Sequence, residues 1–273
     1  MKNFVALCGY LLCAVGAFAQ GGEGNWEVYI SKFSNGPASV AVDMDFDKSD
    51  TTKANPFLLV FTIQAKDCDE KGFPQKREFD NLYAIADTVE AIVKAAPRGF
   101  LVGTYTNDCY YQCYYYMADT TLLRPALKVA VEKNFPAYKT FIRIEADVTH
   151  HAYHSFLYPS EEMQEYMADQ KVILQLRQQG DNLRDPHKLE HFLYFRDKQG
   201  REKFMNYAKA EGFTIERQMS YDRKWELPFE LRIYKTQMVD IESVNKTTKA
   251  LRKKAEELGG RYDGWQTAVI KAK

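Results

Sequence analysis

The sequence predicts an α+β fold made of two ferredoxin-like domains, each an antiparallel sheet with helices on one face, joined by a linker helix. Both halves of the chain repeat the order strand, helix, strand, strand, helix, strand, which is the order of that fold. The chain of 273 residues is long enough for each domain to bury its own core. It contains no run of eighteen apolar residues, so no membrane span is predicted.

The N-terminal domain is predicted over residues 25–159, with an extra hairpin before the repeated order begins. Apolar and polar residues alternate around the turn Asn35-Gly36-Pro37, which predicts that hairpin. Apolar residues at helical spacing predict a first helix, which Pro97 and Gly99 end. In chain order the predicted elements are the hairpin 26–46, strand 56–64, helix 79–96, strands 100–105 and 110–117, helix 126–134 and strand 138–145.

The linker helix is predicted over residues 160–180, because Ser160 is a natural N-cap ahead of two acidic residues. The C-terminal domain is predicted over residues 181–273. Asp240 caps its second helix, and Gly259-Gly260 ends that helix and turns the chain into the last strand. The predicted elements are strand 192–196, helix 201–210, strands 213–218 and 229–235, helix 241–258 and strand 265–270.

The C-terminal domain resembles a known family in residues that are spread over every predicted element. These residues are Gly180-Asp181, His191-Phe192-Leu193-Tyr194-Phe195, Gly212-Phe213, Pro228 and the closing Gly259-Gly260-Arg261-Tyr262-Asp263-Gly264-Trp265. Over residues 171–270 they resemble regulator of ribonuclease activity B, the protein inhibitor of ribonuclease E. The resemblance implies a non-catalytic protein that binds an endoribonuclease and restrains it. It also explains why a histidine stands at position 191, without a role in metal binding.

The N-terminal domain resembles a bacterial domain of unknown function that precedes such modules in longer proteins. The resemblance rests on Gly72-Phe73-Pro74 ahead of the first helix, on Gly103 and Tyr105-Thr106 in a strand, and on Phe156-Leu157-Tyr158-Pro159 at the end. It assigns this domain no activity.

The first nineteen residues have the pattern of a secretory signal peptide. Lys2 supplies the positive charge, an apolar stretch runs from Phe4 to Ala17, and small residues flank a cut after Ala19. A first core strand or helix is the alternative, but it leaves the flexible Gly21-Gly22-Glu23-Gly24 unexplained. We therefore predict a periplasmic or secreted protein that starts at Gln20.

Three cysteines remain after that cut, an odd number for an oxidising compartment. Such a set allows one disulfide and one free thiol. Cys109 and Cys113 lie four apart, where an extended backbone separates them by roughly 13 Å, too far to bridge unless a tight turn lies between them. The pairing of Cys68 with either of the other two stays open.

Charge is unevenly divided along a chain whose formal net charge is zero. Residues 1–170 carry 15 Lys and Arg against 22 Asp and Glu, a balance of −7, and residues 171–273 carry 22 against 15, a balance of +7. This asymmetry favours docking of the two halves on each other, and a basic surface for an anionic partner is the alternative.

A four-stranded sheet with helices on one face leaves its other face open. Four residues of the C-terminal domain are predicted to lie on that face: Tyr194, Glu216, Arg232 and Tyr234. RNA-recognition modules present aromatic residues in the same way, but their sequence signature is absent, so direct nucleic-acid binding is not predicted. We expect this face, or the junction of the domains, to bind a protein partner.

A second aromatic feature is the run Tyr110, Tyr111, Tyr114, Tyr115 and Tyr116. Alternate residues of a strand face opposite sides, so about half of these side chains are predicted in the core and half exposed, where they can stack on a sugar or a partner. Ordinary sheet packing is the favoured interpretation.

Neither a cofactor, a metal site nor an enzymatic activity is predicted. No serine, cysteine or lysine comes with a recognisable base and orienting partner, and no glycine-rich phosphate loop is present. The alternative is a metal-dependent envelope enzyme that uses Asp147, His150 and His154, since histidines at i and i+4 on a helix can hold a metal. His187 and His191 repeat the spacing, but the strand predicted at His191 excludes a shared helix.

The sequence therefore predicts an exported, non-enzymatic binding protein with a protein partner. If the signal is not used, the alternative is a cytoplasmic inhibitor of ribonuclease E.

Overall fold

A computed structural model describes residues 24–33, 36–48, 54–95, 99–222 and 224–271. The chain divides between Pro159 and Ser160 into two compact units, each with one antiparallel sheet and helices. The prediction of two ferredoxin-like domains is confirmed. The predicted signal peptide and its cut after Ala19 lie outside the described residues.

The N-terminal unit is a six-stranded sheet with helices on one face. Its elements are β1 (Trp26–Phe33), β2 (Gly36–Asp43), β3 (Phe57–Gln64), α1 (Phe79–Ala95), β4 (Phe100–Asn107), β5 (Tyr110–Met117), α2 (Leu123–Asn134) and β6 (Lys139–Ala146). The strand order is β1-β2-β4-β5-β3-β6, so β3 to β6 form the ferredoxin-like sheet and the predicted hairpin extends it beyond β4. The main core lies between this sheet and the helices, and includes Phe61, Ile85, Tyr115 and Leu127.

Four of the five tyrosines of β5 are buried, on both faces of the sheet, and Tyr110 is half-buried, so the prediction that half of them are exposed is wrong. Tyr111 and Tyr115 belong to the core under the helices. Tyr114 and Tyr116 face the other side and are still only 4 % and 0 % exposed. The reason is the segment 147–158, which folds back across that face and places Phe156 against Tyr114, with ring centres 5.8 Å apart.

The C-terminal unit is a four-stranded sheet in the order β10-β7-β9-β8, which is the ferredoxin-like order without additions. Its elements are α3 (Glu161–Gln178), β7 (His187–Phe195), α4 (Lys198–Ala210), β8 (Thr214–Ser220), β9 (Phe229–Gln237), α5 (Ile241–Glu257) and β10 (Gly260–Gln266). Leu193, Phe195, Leu231 and Ile233 of the sheet pack with Phe204 of α4 and with α5 to form its core. Asp197 and Asp240 cap α4 and α5 through their side chains.

The helix predicted as a linker is packed into the C-terminal unit. The Oγ of Ser160 accepts a hydrogen bond from the Met163 amide at 3.3 Å, as an N-cap does. Ile173 and Leu176 of α3 lie in a second buried cluster with Leu189 of β7 and with α5. The cluster gives this helix an apolar face to bury, so α3 is part of the fold of this unit.

The glycine-rich string near the C-terminus is a strand, so the predicted turn and the strand 265–270 are wrong. β10 begins at Gly260, and its register with β7 shifts between Tyr262 and Gly264. Gly259 ends α5 with a φ of 70°, and Gly264 takes a φ of 121° at the bulge. A Cβ on Gly260 would meet the Phe195 ring at 2.4 Å. The glycines therefore allow a helix end, a close approach and a bulge.

Candidate functional site

The residues predicted to bind a partner lie together on one face of the C-terminal sheet. Along β9, Leu231 and Ile233 are buried against the helices, so Arg232 and Tyr234 point to the opposite side. Tyr194 of β7 lies on that side as well, because it alternates with the buried core residues of its strand. We call this the open face; in the described part of the chain no helix packs on it.

Glu216 reaches the same face from β8, beside a register shift between Ile215 and Arg217. Its carboxylate accepts a hydrogen bond from the Lys188 ammonium of β7, which also contacts the Glu190 carboxylate at 2.9 Å. The two carboxylates raise the pKa of Lys188, and hydrogen bonds from Lys188 and then Gln266 lower the pKa of Glu190. One ammonium therefore stabilises two carboxylates, and the group keeps one net negative charge.

Cations of the open face lie over its aromatic rings. The Lys188 Nζ is 4.3 Å from the centre of the Tyr234 ring, and the guanidinium carbon of Arg232 is 4.6 Å from the centre of the Phe192 ring. These contacts restrict the orientation of the long Lys188 and Arg232 side chains.

Sequence reasoning missed Lys188 and Glu190 because it started β7 at residue 192, whereas the strand starts at His187. The alternation that is typical of a strand is nevertheless present. Residues 187–191 alternate between buried and more exposed side chains, with Leu189 in the core.

The histidines of β7 are structural and face the helices. The Nδ1 of His191 lies 3.0 Å from the hydroxyl of Tyr262 in β10, and burial lowers the pKa of His191 to about 4. A neutral imidazole at that position joins two strands within the core.

His187 lies between two acceptors. Its Nε2 is 2.8 Å from an Asp181 carboxylate oxygen and its Nδ1 is 2.7 Å from the Asp185 carbonyl. The same carboxylate oxygen accepts the Ile270 amide at 2.7 Å, and the other carboxylate oxygen accepts the Leu183 amide at 2.8 Å. Desolvation opposes ionisation of Asp181, but these hydrogen bonds hold its pKa below the usual range. The pair therefore ties the segment after β10 to the turn before β7.

A buried carboxylate connects α3, α5 and β10. Asp169 of α3 accepts hydrogen bonds from the Trp265 indole at 2.8 Å, the Thr248 hydroxyl at 2.7 Å and the Asn245 amide at 3.2 Å. The tryptophan that closes the glycine-rich string thus anchors the helix that was expected to act as a linker. Sequence reasoning missed this because a linker helix was not expected to contact β10.

Family comparisons agree with the two-unit organisation. Residues 24–158 match a family of unknown function (DUF695). Residues 166–267 match Regulator of ribonuclease activity B. This match begins within α3 and ends just after β10, so most of α3 lies inside the matched region. The abbreviation of the family is RraB, and we call the C-terminal unit the RraB-like domain.

Two solved structures are similar to the chain at low identity. An unknown protein from Galdieria sulphuraria is 12% identical with a TM-score of 0.23, and the comparison covers 79% of this chain and 99% of that one. A candidate glycine cleavage system transcriptional repressor is 10% identical with a TM-score of 0.23, over 78% and 98% of the two chains. Neither likeness bears on activity. No curated protein matches the chain.

The three residues of the alternative metal site do not converge. Asp147 accepts hydrogen bonds from the Ala152 amide at 2.9 Å and from the Tyr116 hydroxyl at 2.6 Å. The Nε2 of His150 lies 3.0 Å from the Asn55 carbonyl, inside the N-terminal unit. Within the described ranges no group of three or more His, Cys, Asp or Glu side chains is placed to hold a metal ion.

One disulfide joins Cys68 to Cys109, with their Cα atoms 5.8 Å apart. The neighbouring Cys109 and Cys113 are not bridged, as their spacing predicted. Cys113 lies in the core under the helices, where burial raises the pKa of its thiol to about 12. The N-terminal unit therefore contains a disulfide-closed loop and a buried, unreactive thiol.

Proposed function

We propose that the protein is an exported, non-catalytic regulator that binds a protein partner through the open face of its RraB-like domain. The match to a family of ribonuclease regulators supports a regulatory role. The observation that carries the proposal is the group of Tyr194, Arg232 and Tyr234 on one sheet face, with Lys188 over a ring. Aromatic and arginine side chains held in this way are typical anchors of protein interfaces.

The inner side of the same domain supports a non-catalytic role. His191, His187 and Asp169 are each buried and bonded to a group that joins two elements of the fold. These three side chains are almost fully buried, so they stabilise the domain and are not presented to a substrate. A binding role requires only the open face, and these buried contacts do not involve that face.

The Cys68–Cys109 disulfide supports export, because disulfides persist in oxidising compartments and are rare in the reducing cytosol. Among the described helices, none is both long and apolar enough to cross a membrane. Fractionation with N-terminal sequencing of the native protein tests this part of the proposal. We expect a start at Gln20 outside the cytoplasm; a cytoplasmic protein that keeps Met1 would favour the alternative of a ribonuclease E inhibitor.

Removing two side chains of the open face is expected to weaken partner capture strongly. With residues 20–273 as bait on cell-envelope extract, the double substitution R232A and Y234A should weaken capture of a partner at least about tenfold, since interface anchors of this type each cost more than about 1 kcal/mol on truncation. The partner is identified by mass spectrometry, and equal thermal melting of the two baits excludes unfolding.

The matched control is K203E, which alters an exposed residue on α4 on the helix side of the same domain. It should capture the partner as the unaltered bait does. Capture that is unchanged in the double variant, or lost equally in the control, contradicts the assignment of the open face. Capture of ribonuclease E itself would identify the partner as the one implied by the family.

A further inference from the structure

A cavity of about 580 Å³ lies at one end of the open face. The loop between β8 and β9 lines it with Tyr221 and Trp225, β7 contributes Tyr194, and β10 contributes Arg261 and Asp263. This volume falls within the range of about 300–1,000 Å³ found for small-molecule sites. Its lining combines three aromatic rings with charged groups.

Two of these rings are unusually accessible. Trp225 is 62 % exposed and Tyr221 is 42 % exposed, although both side chains carry large apolar surfaces. Their ring centres are 6.5 Å apart and the planes are inclined by 46°, so the two rings do not stack face to face. An adjacent exposed pair of this kind offers flat apolar surface to a ligand.

The loop that carries the rings is held in place by its own hydrogen bonds. The Tyr221 hydroxyl donates to the buried Glu230 carboxylate of β9. The Tyr221 amide donates to the Pro228 carbonyl at 2.8 Å, and the Trp225 amide donates to the Asp222 carbonyl at 3.1 Å. The Tyr221 ring is therefore held in position before a ligand binds, which lowers the entropy cost of binding.

The three charged side chains that line the cavity, Glu226, Arg261 and Asp263, are each paired with an opposite charge. The Arg261 guanidinium and the Asp263 carboxylate lie 3.6 Å apart, and Glu226 lies 3.7 Å from Arg196 at the rim. An anionic ligand would meet the Glu226 and Asp263 carboxylates, and a cationic ligand would meet the Arg261 guanidinium and would find both carboxylates already paired, so neither is favoured. Each exposed pair keeps spare donors and acceptors for hydroxyl groups.

We propose that this cavity binds a neutral saccharide. The apolar face of a pyranose ring stacks on Trp225 or Tyr221, and its hydroxyl groups bond to Arg261 and Asp263. A neutral polyhydroxylated ring matches both halves of the lining, because it has C–H groups on its face and hydroxyls around its edge. The site shares Tyr194 with the proposed partner-binding face, but the Arg232 and Tyr234 side chains do not line it.

The test is titration of residues 20–273 with two neutral trisaccharides, cellotriose and triacetylchitotriose, followed by ligand-observed NMR and calorimetry. We expect saturable binding of at least one of them. The substitution W225A should weaken that binding about tenfold or more, and W225F, which keeps a ring, should retain it within about threefold. Trp225 is exposed, so neither substitution should change thermal melting.

Two controls separate this site from the rest of the protein. V129A removes an exposed apolar side chain on α2 in the N-terminal unit, and the R232A and Y234A variant alters the partner-binding residues. Both should bind the trisaccharide as the unaltered protein does. If neither trisaccharide binds, the proposal is wrong. It is equally wrong if neither trisaccharide binds but a neutral tripeptide such as Ser-Tyr-Ser does. Equal binding by W225A overturns it as well.

Discussion

Removing the Cys68–Cys109 disulfide is expected to lower the free energy of unfolding of the N-terminal unit by about 4 kcal/mol. The bond closes a loop with a sequence separation of 41, and a cross-link of that length restricts the unfolded chain strongly. In the folded unit the Ala65 amide donates to the Cys109 carbonyl, and the Cys109 amide donates to the Gly72 carbonyl, both at 2.8 Å. These contacts remain without the bond, so most of the loss arises in the unfolded state.

Urea unfolding followed by circular dichroism measures this loss, with the unaltered protein compared with the C68A and C109A double variant. A reducing agent should shift the unaltered protein to the midpoint of the variant and leave the variant where it is. Equal stability of the oxidised and reduced forms would show that the loop is restricted by other means.

The substitution D169A is expected to destabilise the RraB-like domain by about 3–5 kcal/mol. It leaves the Trp265 indole and the Thr248 hydroxyl without their acceptor in the interior, and each unsatisfied buried donor costs about 1–3 kcal/mol. The longer bond from Asn245 is lost as well. Because the carboxylate is the shared acceptor, one substitution loosens α3, α5 and β10 together.

Thermal and urea unfolding of this variant can be compared with E256A, which removes an exposed carboxylate on α5. The control should lie within about 0.5 kcal/mol of the unaltered protein. W265F replaces the indole by a smaller aromatic ring without the donor, and should cost less than D169A. A loss below about 1 kcal/mol for D169A would mean that water replaces the carboxylate, and the anchoring role would be wrong.

The elements with a clear period were predictable from the sequence. The apolar spacing of α1 and α5 and the alternation of β9 place these elements within three residues of where they lie.

Two kinds of feature were predicted wrongly: the role of glycines in β10, and the burial of a sheet face by a distant segment of the chain. Gly260 and Gly264 suggest a turn, but they serve a close approach and a bulge within β10. Tyr114 and Tyr116 are buried by a segment far along the chain, which alternation alone cannot reveal.

Some residues of the candidate sites could likewise be predicted from the sequence, and others could not. Tyr194, Arg232 and Tyr234 could be assigned to one face because a strand has a period of two. Trp225 could not be found, since a loop residue has no period and its neighbours in the cavity come from distant strands. Asp169 carries no local signal either, because its three donors lie between 76 and 96 residues away.

Cys113 gives the folded and unfolded chains different chemistry. In the folded unit its thiol is 1 % exposed and weakly acidic, so it forms little of the thiolate that attacks disulfides. When the sheet opens, the same thiol regains its ordinary acidity and can exchange with the Cys68–Cys109 bond, giving isomers that cannot close the sheet correctly. The kinetic barrier to opening therefore protects the native pairing, and the lifetime of the protein under oxidising conditions depends on how rarely β5 is exposed.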